Sequence, residues 1–170
     1  MKILCVIDMQ NDFIDGALGT AEAEAIVDNV RNKIELYRKN GDVVIFTRDT
    51  HYENYMETAE GKNLPVPHCI KDSDGWQICA ALEVGDSTVI DKPTFGSVEL
   101  SELVAKFDNV EAIEFVGLCT DICVISNVLL LKAKLPEIPI TVDSGCCAGV
   151  TPDSHNNALS AMKMCQIKII

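Results

Sequence analysis

Basic residues are scarce in this chain: 14 Lys and Arg stand against 26 Asp and Glu, a formal net charge of −12. A surface so short of cations has little with which to offset phosphate, which argues against a nucleic-acid or anionic-membrane partner. No apolar run reaches the length of a membrane span, and the opening MKILCVIDMQNDF lacks the long apolar region and small-residue cleavage site of a signal peptide. A cytoplasmic protein is expected. There is also no C-x-x-C pair. Eight cysteines are present (5, 69, 79, 119, 123, 146, 147 and 165), but several fall inside predicted strands or helices, and a domain of this size needs no disulfide staples. They are expected to be mostly reduced and buried. Adjacent Cys146 and Cys147 are badly placed to bridge each other or to chelate one ion, so core packing is the better reading of both. Internal repeats, low-complexity segments and linkers are absent too.

What is present is a run of 170 residues, 48% of them hydrophobic, enough for one well-buried core and too little for two. Ile3–Asp8 is a continuous apolar run ending in an acid, the pattern of a strand covered on both faces. Val43–Thr47, Ser87–Ile90, Ala112–Val116, Ile138–Val142 and 166–170 read as five more strands. Between them, apolar residues at helical spacing predict helices over Ala21–Lys39, Val98–Phe107 with Ser97 as cap, and Asp121–Lys134. A last helix starts at Thr151-Pro152, and a short helical turn falls near Trp76–Leu82. Strands alternating with helices imply a single-domain α/β fold, three layers deep, on a six-stranded mostly parallel sheet. Residues 49–75 form the longest stretch without periodicity, the kind of loop that is usually functional or mobile, and it holds His51 and His68.

In such open sheets ligands bind beyond the carboxyl ends of the strands. Asp8, Asp49, Lys92 and Cys123 lie at or just past the carboxyl ends of the first four strands, so the fold should gather them on one rim. Cys123 falls in the first turn of a predicted helix, where unpaired N–H groups and the helix dipole favour a thiolate. With Asp8 to take the proton and Lys92 to supply positive charge, the three can attack an amide carbon and hydrolyse the resulting thioester, with N–H groups near Cys119 and Cys123 facing the oxyanion. Each also has a structural reading. A cysteine at a strand-to-helix junction can be core, Asp8 can cap the turn before MQNDF, and Lys92 can lie on the surface. Asp49 and His51, two apart in an extended segment, face the same way, and His68 can fold back to them; one carboxylate and two imidazoles suit Zn²⁺, Fe²⁺ or Mn²⁺. A solvated loop is the alternative, and for Trp76 and Phe95 core packing stands beside contact with a ligand.

Five runs carry a resemblance: VIDMQNDF (Val6–Phe13), TRDTH (Thr47–His51), PVPHC (Pro65–Cys69), DKPTFGS (Asp91–Ser97) and GLCTDICV (Gly117–Val124). In this order, and over nearly the whole chain, they resemble the isochorismatase-like cysteine hydrolases, especially the nicotinamidases. The resemblance implies catalytic roles for Asp8, Lys92 and Cys123, and a non-proline cis peptide at Leu118-Cys119 that aims N–H groups at the oxyanion. It also implies an aromatic at Phe13 stacked on the substrate ring, with Trp76 or Phe95 lining the other side. The implied cofactor is one divalent ion, Zn²⁺ before Fe²⁺ or Mn²⁺, held by Asp49, His51 and His68 with Glu60 as an extra carboxylate. A small-molecule amide substrate and a homo-oligomer follow, and the implied reaction is nicotinamide to nicotinate and ammonia. Alternatives are another small amide, carbamoyl or ureido substrate, or a catalytically silent metal- or partner-binding domain. Two positions depart from the pattern: Thr50 stands where many nicotinamidases carry an aromatic, and Cys119 replaces the customary alanine.

Overall fold

Within ILCVI, residues 3–7, every side chain is buried, and the alternation of a strand sends them to two different cores. Ile3, Cys5 and Ile7 pack with Leu100, Val104, Val128, Leu131 and Met162, while Leu4 and Val6 pack with Val30, Ile34 and Tyr37. A fully buried aliphatic side chain contributes roughly 1.5–3 kcal/mol before entropy is counted, so two such faces explain why this run has no polar residue. The computed structural model describes residues 1–170. Its strands are β1 (Lys2–Ile7), β2 (Val43–Asp49), β3 (Thr88–Lys92), β4 (Ala112–Leu118), β5 (Ile140–Ala148) and β6 (Lys168–Ile169), in the order β3-β2-β1-β4-β5-β6. All pairings are parallel, so the sheet is more regular than the mostly parallel one expected.

The helices are α1 (Asn11–Ile14), α2 (Ala21–Ala25), α3 (Val27–Lys39), α4 (Ala59–Asn63), α5 (Val98–Val104), α6 (Ile125–Lys134) and α7 (Pro152–Met164). The α2–α3 side covers one face of the sheet and α5–α7 the other, giving the three layers. Caps follow the sequence: the Ser97 hydroxyl accepts from Leu100 N–H, and Thr151 with Ser154 forms a reciprocal capping box. No helix is long and apolar enough to cross a membrane.

Three elements differ from expectation. The single helix over 21–39 is two, because the chain turns at Ile26, whose N–H bonds Glu24 O rather than continuing the ladder. The turn expected at Trp76–Leu82 is confined to Ala80–Leu82. Upstream of it the backbone is claimed by residues 9–12: Asn11 N–H donates to Gln77 O (3.0 Å), Cys79 N–H to Met9 O (2.9 Å), and Gln10 bridges Ile78. Finally, β5 runs on through Ser144-Gly145 to Ala148, pairing Cys147 with Gly117 and Ala148 with Leu118 after a register shift.

β1 lies between β2 and β4, so the chain's crossovers leave it in opposite directions and open a crevice at the carboxyl ends of β1 and β4. Gly117 lets the two strands meet there. Its φ is +120°, and a Cβ would lie 2.1 Å from Ile7 O, so no other residue fits.

Candidate active site

The residues leaving β1, β2, β3 and β4 converge on that crevice. Asp8 follows β1 with φ at +48°, a left-handed conformation costly for a non-glycine residue and characteristic of functional positions. It is fully buried. Its Oδ1 accepts from Thr47 Oγ1 at 2.6 Å, and its own N–H donates to the same hydroxyl at 3.2 Å. Lys92, the last residue of β3, is buried as well. Its Nζ lies 2.6 Å from Asp8 Oδ2, 3.2 Å from Asp49 Oδ1 and 3.4 Å from Cys123 Sγ, and donates to Thr94 O at 3.2 Å. Asp8 Oδ2 is paired with the ammonium and has no other hydrogen-bond partner.

Cys123 is 4% exposed. It does not sit in the first turn of a regular α-helix, as expected. Thr120–Val124 is a wider turn in which Val124 N–H reaches back to Cys119 O (3.0 Å), and α6 begins only at Ile125. Such π-type turns recur at functional sites. The peptide bond Leu118-Cys119 just before it is cis.

This placement corrects the thiolate expectation. Burial pushes the Cys123 thiol well above its ordinary pKa, the Asp8 charge pushes it the same way, and Lys92 offsets only part of this. Burial likewise raises Asp8 against the pull of Lys92. For Lys92, burial is outweighed by Asp8, Cys123 and Asp49, so its ammonium is held far above the usual range. Burial and the charge of Asp8 thus favour the neutral thiol at Cys123, while Lys92 is held as an ammonium between Asp8 and Asp49.

Alongside lies a second constellation. Asp49, His51, Glu60 and His68 offer ligand atoms that all lie within 4.8 Å of one another. His51 Nε2 is 3.0 Å from Asp49 Oδ2 and 3.5 Å from Glu60 Oε1; His68 Nε2 is 3.7 Å and 3.8 Å from the same two atoms. Metal–ligand bonds of about 2.0–2.2 Å set tetrahedral edges of roughly 3.3–3.6 Å, close to these four separations, so the four donors suit one small divalent ion once the widest pair, at up to 4.8 Å, draws in. The far nitrogen of His68, Nδ1, lies 2.8 Å from Val66 O, the outer hydrogen bond that leaves Nε2 for an ion. For His51, burial works against a proton, but hydrogen bonds to Asp49 and Glu60 outweigh it and raise its pKa to about 9; the same negative potential suits a cation. Local pairing brings the histidines together: His51 N–H donates to Cys69 O (3.0 Å) and Lys71 N–H to His51 O (2.8 Å).

Both constellations open on one cavity of about 720 Å³, lined by Asp49, Glu60, His68, Leu118, Cys119 and Cys123 among others. Asp8 and Lys92 lie buried beneath its floor. Phe13 and Phe95 line it, and the Phe13 ring is 5.4 Å from that of His68. Trp76 does not. Its indole N–H donates to Thr50 Oγ1 (2.9 Å) and the Arg48 guanidinium covers its ring at 3.6 Å, so the aromatic expected against a substrate packs behind the metal-ligand strand instead. That contact also gives Thr50 a role in place of the aromatic it lacks.

Sequence reasoning missed the residues that hold these in place. Gln10 clamps Asp49 on both sides, Nε2 donating to its carbonyl (2.9 Å) and Oε1 accepting from its N–H (2.7 Å). Asp12 Oδ2 accepts from Cys69 N–H (2.7 Å), fixing the loop of His68. Asn127 joins α6 to the loop after β3, donating to Cys123 O (2.8 Å) and Phe95 O (3.0 Å) and accepting from Ser97 N–H (2.8 Å). For the first two, the polar cluster QND inside VIDMQNDF was the available signal.

A buried thiol beside an ammonium that pairs with two carboxylates, at the switch point of a parallel sheet and next to four converging metal donors, is an arrangement suited to hydrolysis. The chain belongs to the isochorismatase family, its residues 2–170 matching the Isochorismatase domain. It is similar to the pyrazinamidase/nicotinamidase of Streptococcus mutans, with 26% identity, TM-score 0.88 and all of both chains covered. It is also similar to the pyrazinamidase of Pyrococcus horikoshii in complex with zinc, with 26% identity, TM-score 0.86, and 99% of this chain and 98% of that one covered. The fold is shared further, with the N-carbamoylsarcosine amidase of Thermoplasma acidophilum, at 24% identity and TM-score 0.83 over 99% of this chain and 95% of that one.

Proposed function

We propose that this hydrolase is a metal-dependent cysteine amidase that converts nicotinamide to nicotinate and ammonia. The observation that carries this reading is the one cavity that Cys123 shares with Asp49, Glu60 and His68, three of the four converging donors, with His51 beside them. Asp8 takes the thiol proton as Sγ adds to the amide carbon, and N–H groups around Cys119 and Cys123 face the oxyanion that forms. Asp8 then gives that proton to the departing ammonia, leaving a thioester. Water, deprotonated by Asp8, releases the acid and restores the thiol. Lys92 keeps the site positive enough for sulfur to carry charge during attack. An ion held by the four donors would bind the ring nitrogen and so fix the amide over sulfur.

A ureido or carbamoyl acid is the rival substrate. It is less favoured because neither Lys nor Arg lines the cavity to meet a carboxylate, which leaves only the ion on the four donors to do so. Ammonia release from nicotinamide, measured beside a panel of small amides and ureido acids on protein loaded with Zn²⁺, Fe²⁺ or Mn²⁺, tests the reading. Turnover of a ureido acid with no turnover of nicotinamide would end it. His51→Ala should reduce metal content from about one ion per chain by more than tenfold at limiting metal and raise KM, since even outer-shell partners of a metal ligand cost about 10–100-fold. Unchanged metal stoichiometry in that variant rejects the metal site.

A further inference from the structure

The cavity over Cys123 is both larger and more apolar than a single-ring amide requires. Its volume of about 720 Å³ is several times the roughly 150 Å³ that admits a benzene ring in a protein interior. Its lining also runs from buried to exposed residues. Asp49, His68 and Cys123 are buried at the floor, whereas Leu64, Phe95 and Val150 line the same cavity while 38%, 43% and 53% exposed. These three come from separate segments: the end of α4, the loop after β3 and the loop between β5 and α7. Exposed apolar side chains converging from three loops on one concavity mark a binding surface rather than the scattered apolar residues of any surface. Charge narrows it further. The ionisable lining consists of Asp49, Glu60, His68 and two cysteines, with no Lys or Arg.

We propose that the preferred substrate is a neutral aryl amide bearing an apolar substituent, its carboxamide at Cys123 and its substituent against Leu64, Phe95 and Val150. This rests on the amide-hydrolysis reading above and narrows it, since nicotinamide itself would leave the mouth to water. A negatively charged substituent would be stripped of water against Leu64, Phe95 and Val150, where no Lys or Arg lines the cavity to meet it. These three residues thus set specificity through the part of the ligand remote from the bond that breaks.

The test compares nicotinamide with pyridine-3-carboxamides carrying an n-propyl group at ring carbon 5 or 6, and with the corresponding carboxylates. Ammonia release gives kcat/KM, and the rise in Tm at saturating ligand reads binding independently of turnover. Burial of a propyl group, discounted for a partly open mouth, should raise kcat/KM of at least one propyl isomer about tenfold over nicotinamide. The carboxylates should fall at least about tenfold below nicotinamide. Leu64→Asn and Val150→Asn should each bring the propyl-to-nicotinamide ratio towards one, while Met164→Gln, at an exposed position in α7, should not change the ratio. If neither propyl isomer is turned over faster or raises Tm more than nicotinamide, the inference falls, and nicotinamide turnover then stands by itself. Turnover of a propyl isomer with none of nicotinamide supports the inference and overturns the nicotinamidase assignment instead.

Discussion

Cys123→Ala should lower amide turnover by about 10⁴- to 10⁶-fold, the range found when a covalent nucleophile is removed. The folded state should survive, because Cys123 contributes one small side chain to a core built mainly of aliphatic residues such as Val124, Val128 and Leu131. Replacement by alanine removes one buried atom and costs about 1 kcal/mol. Loss of activity with Tm nearly unchanged therefore separates chemistry from stability. Trapping provides a second reading. During turnover, acid quench and intact-mass measurement should show an acyl group on the wild-type chain and none on the variant. The pH profile carries the signature of a neutral thiol. Activity should fall at acid pH as Asp8 is protonated, with the limb above the ordinary carboxylate range because burial raises that group. Retained turnover in the alanine variant, or an acyl adduct on another residue, removes the mechanism.

Much of this arrangement was legible because parallel α/β topology turns sequence order into position. Asp8, Asp49, Lys92 and Cys123 each follow or end an apolar run, and the sheet places the ends of such runs on one rim. The strand runs themselves could be read because burial on both faces removes polar residues from them. What could not be read depends on partners far away in sequence. β5 continues through Ser144 and Gly145, which look like a turn, because Cys147 and Ala148 find hydrogen-bonding partners in Gly117 and Leu118. The break at Ile26 is hidden because that side chain stays in the core on either side of it. Trp76 announces a large buried ring, but its place is decided by Thr50 and Arg48 on the neighbouring chain segment.

The electrostatics were the least legible. Position near a helix start argued for a thiolate, yet a local dipole is worth about a kilocalorie, and burial of sulfur beside a carboxylate outweighs it. Only the packing of Asp8 and Lys92 beneath the cavity floor shows which charge wins. Likewise, the convergence of His68 on His51 depends on the bridge between His51 and Ile70, a pairing between loops with no periodic signal.

Lys92→Met tests that charge balance directly, since methionine fills a similar volume without the ammonium. Removing one partner of a buried ionic cluster leaves Asp8 and Asp49 unneutralised, at a cost of about 3–5 kcal/mol. For a chain of this length that corresponds to a fall in Tm of roughly 10 °C or more. The loss should depend on pH in one direction. Without Lys92, the folded-state pKa of Asp8 rises further above its unfolded value. The native state then holds the proton more tightly, and its stability declines as pH increases between those two values. The deficit relative to wild type should thus be small in acid, where Asp8 is neutral, and full at neutral pH. The wild-type chain keeps its Lys92 contribution up to strongly alkaline pH because the ammonium is held well above the usual lysine range. Alkylation should move as well: Lys92 lowers the pKa of the Cys123 thiol, so iodoacetamide should require higher pH to modify the variant. Urea unfolding in acid and at neutral pH, together with the alkylation profile, measures both effects. A variant that is as stable as wild type at neutral pH, and alkylates at the same pH, would show that the ammonium does not govern the sulfur.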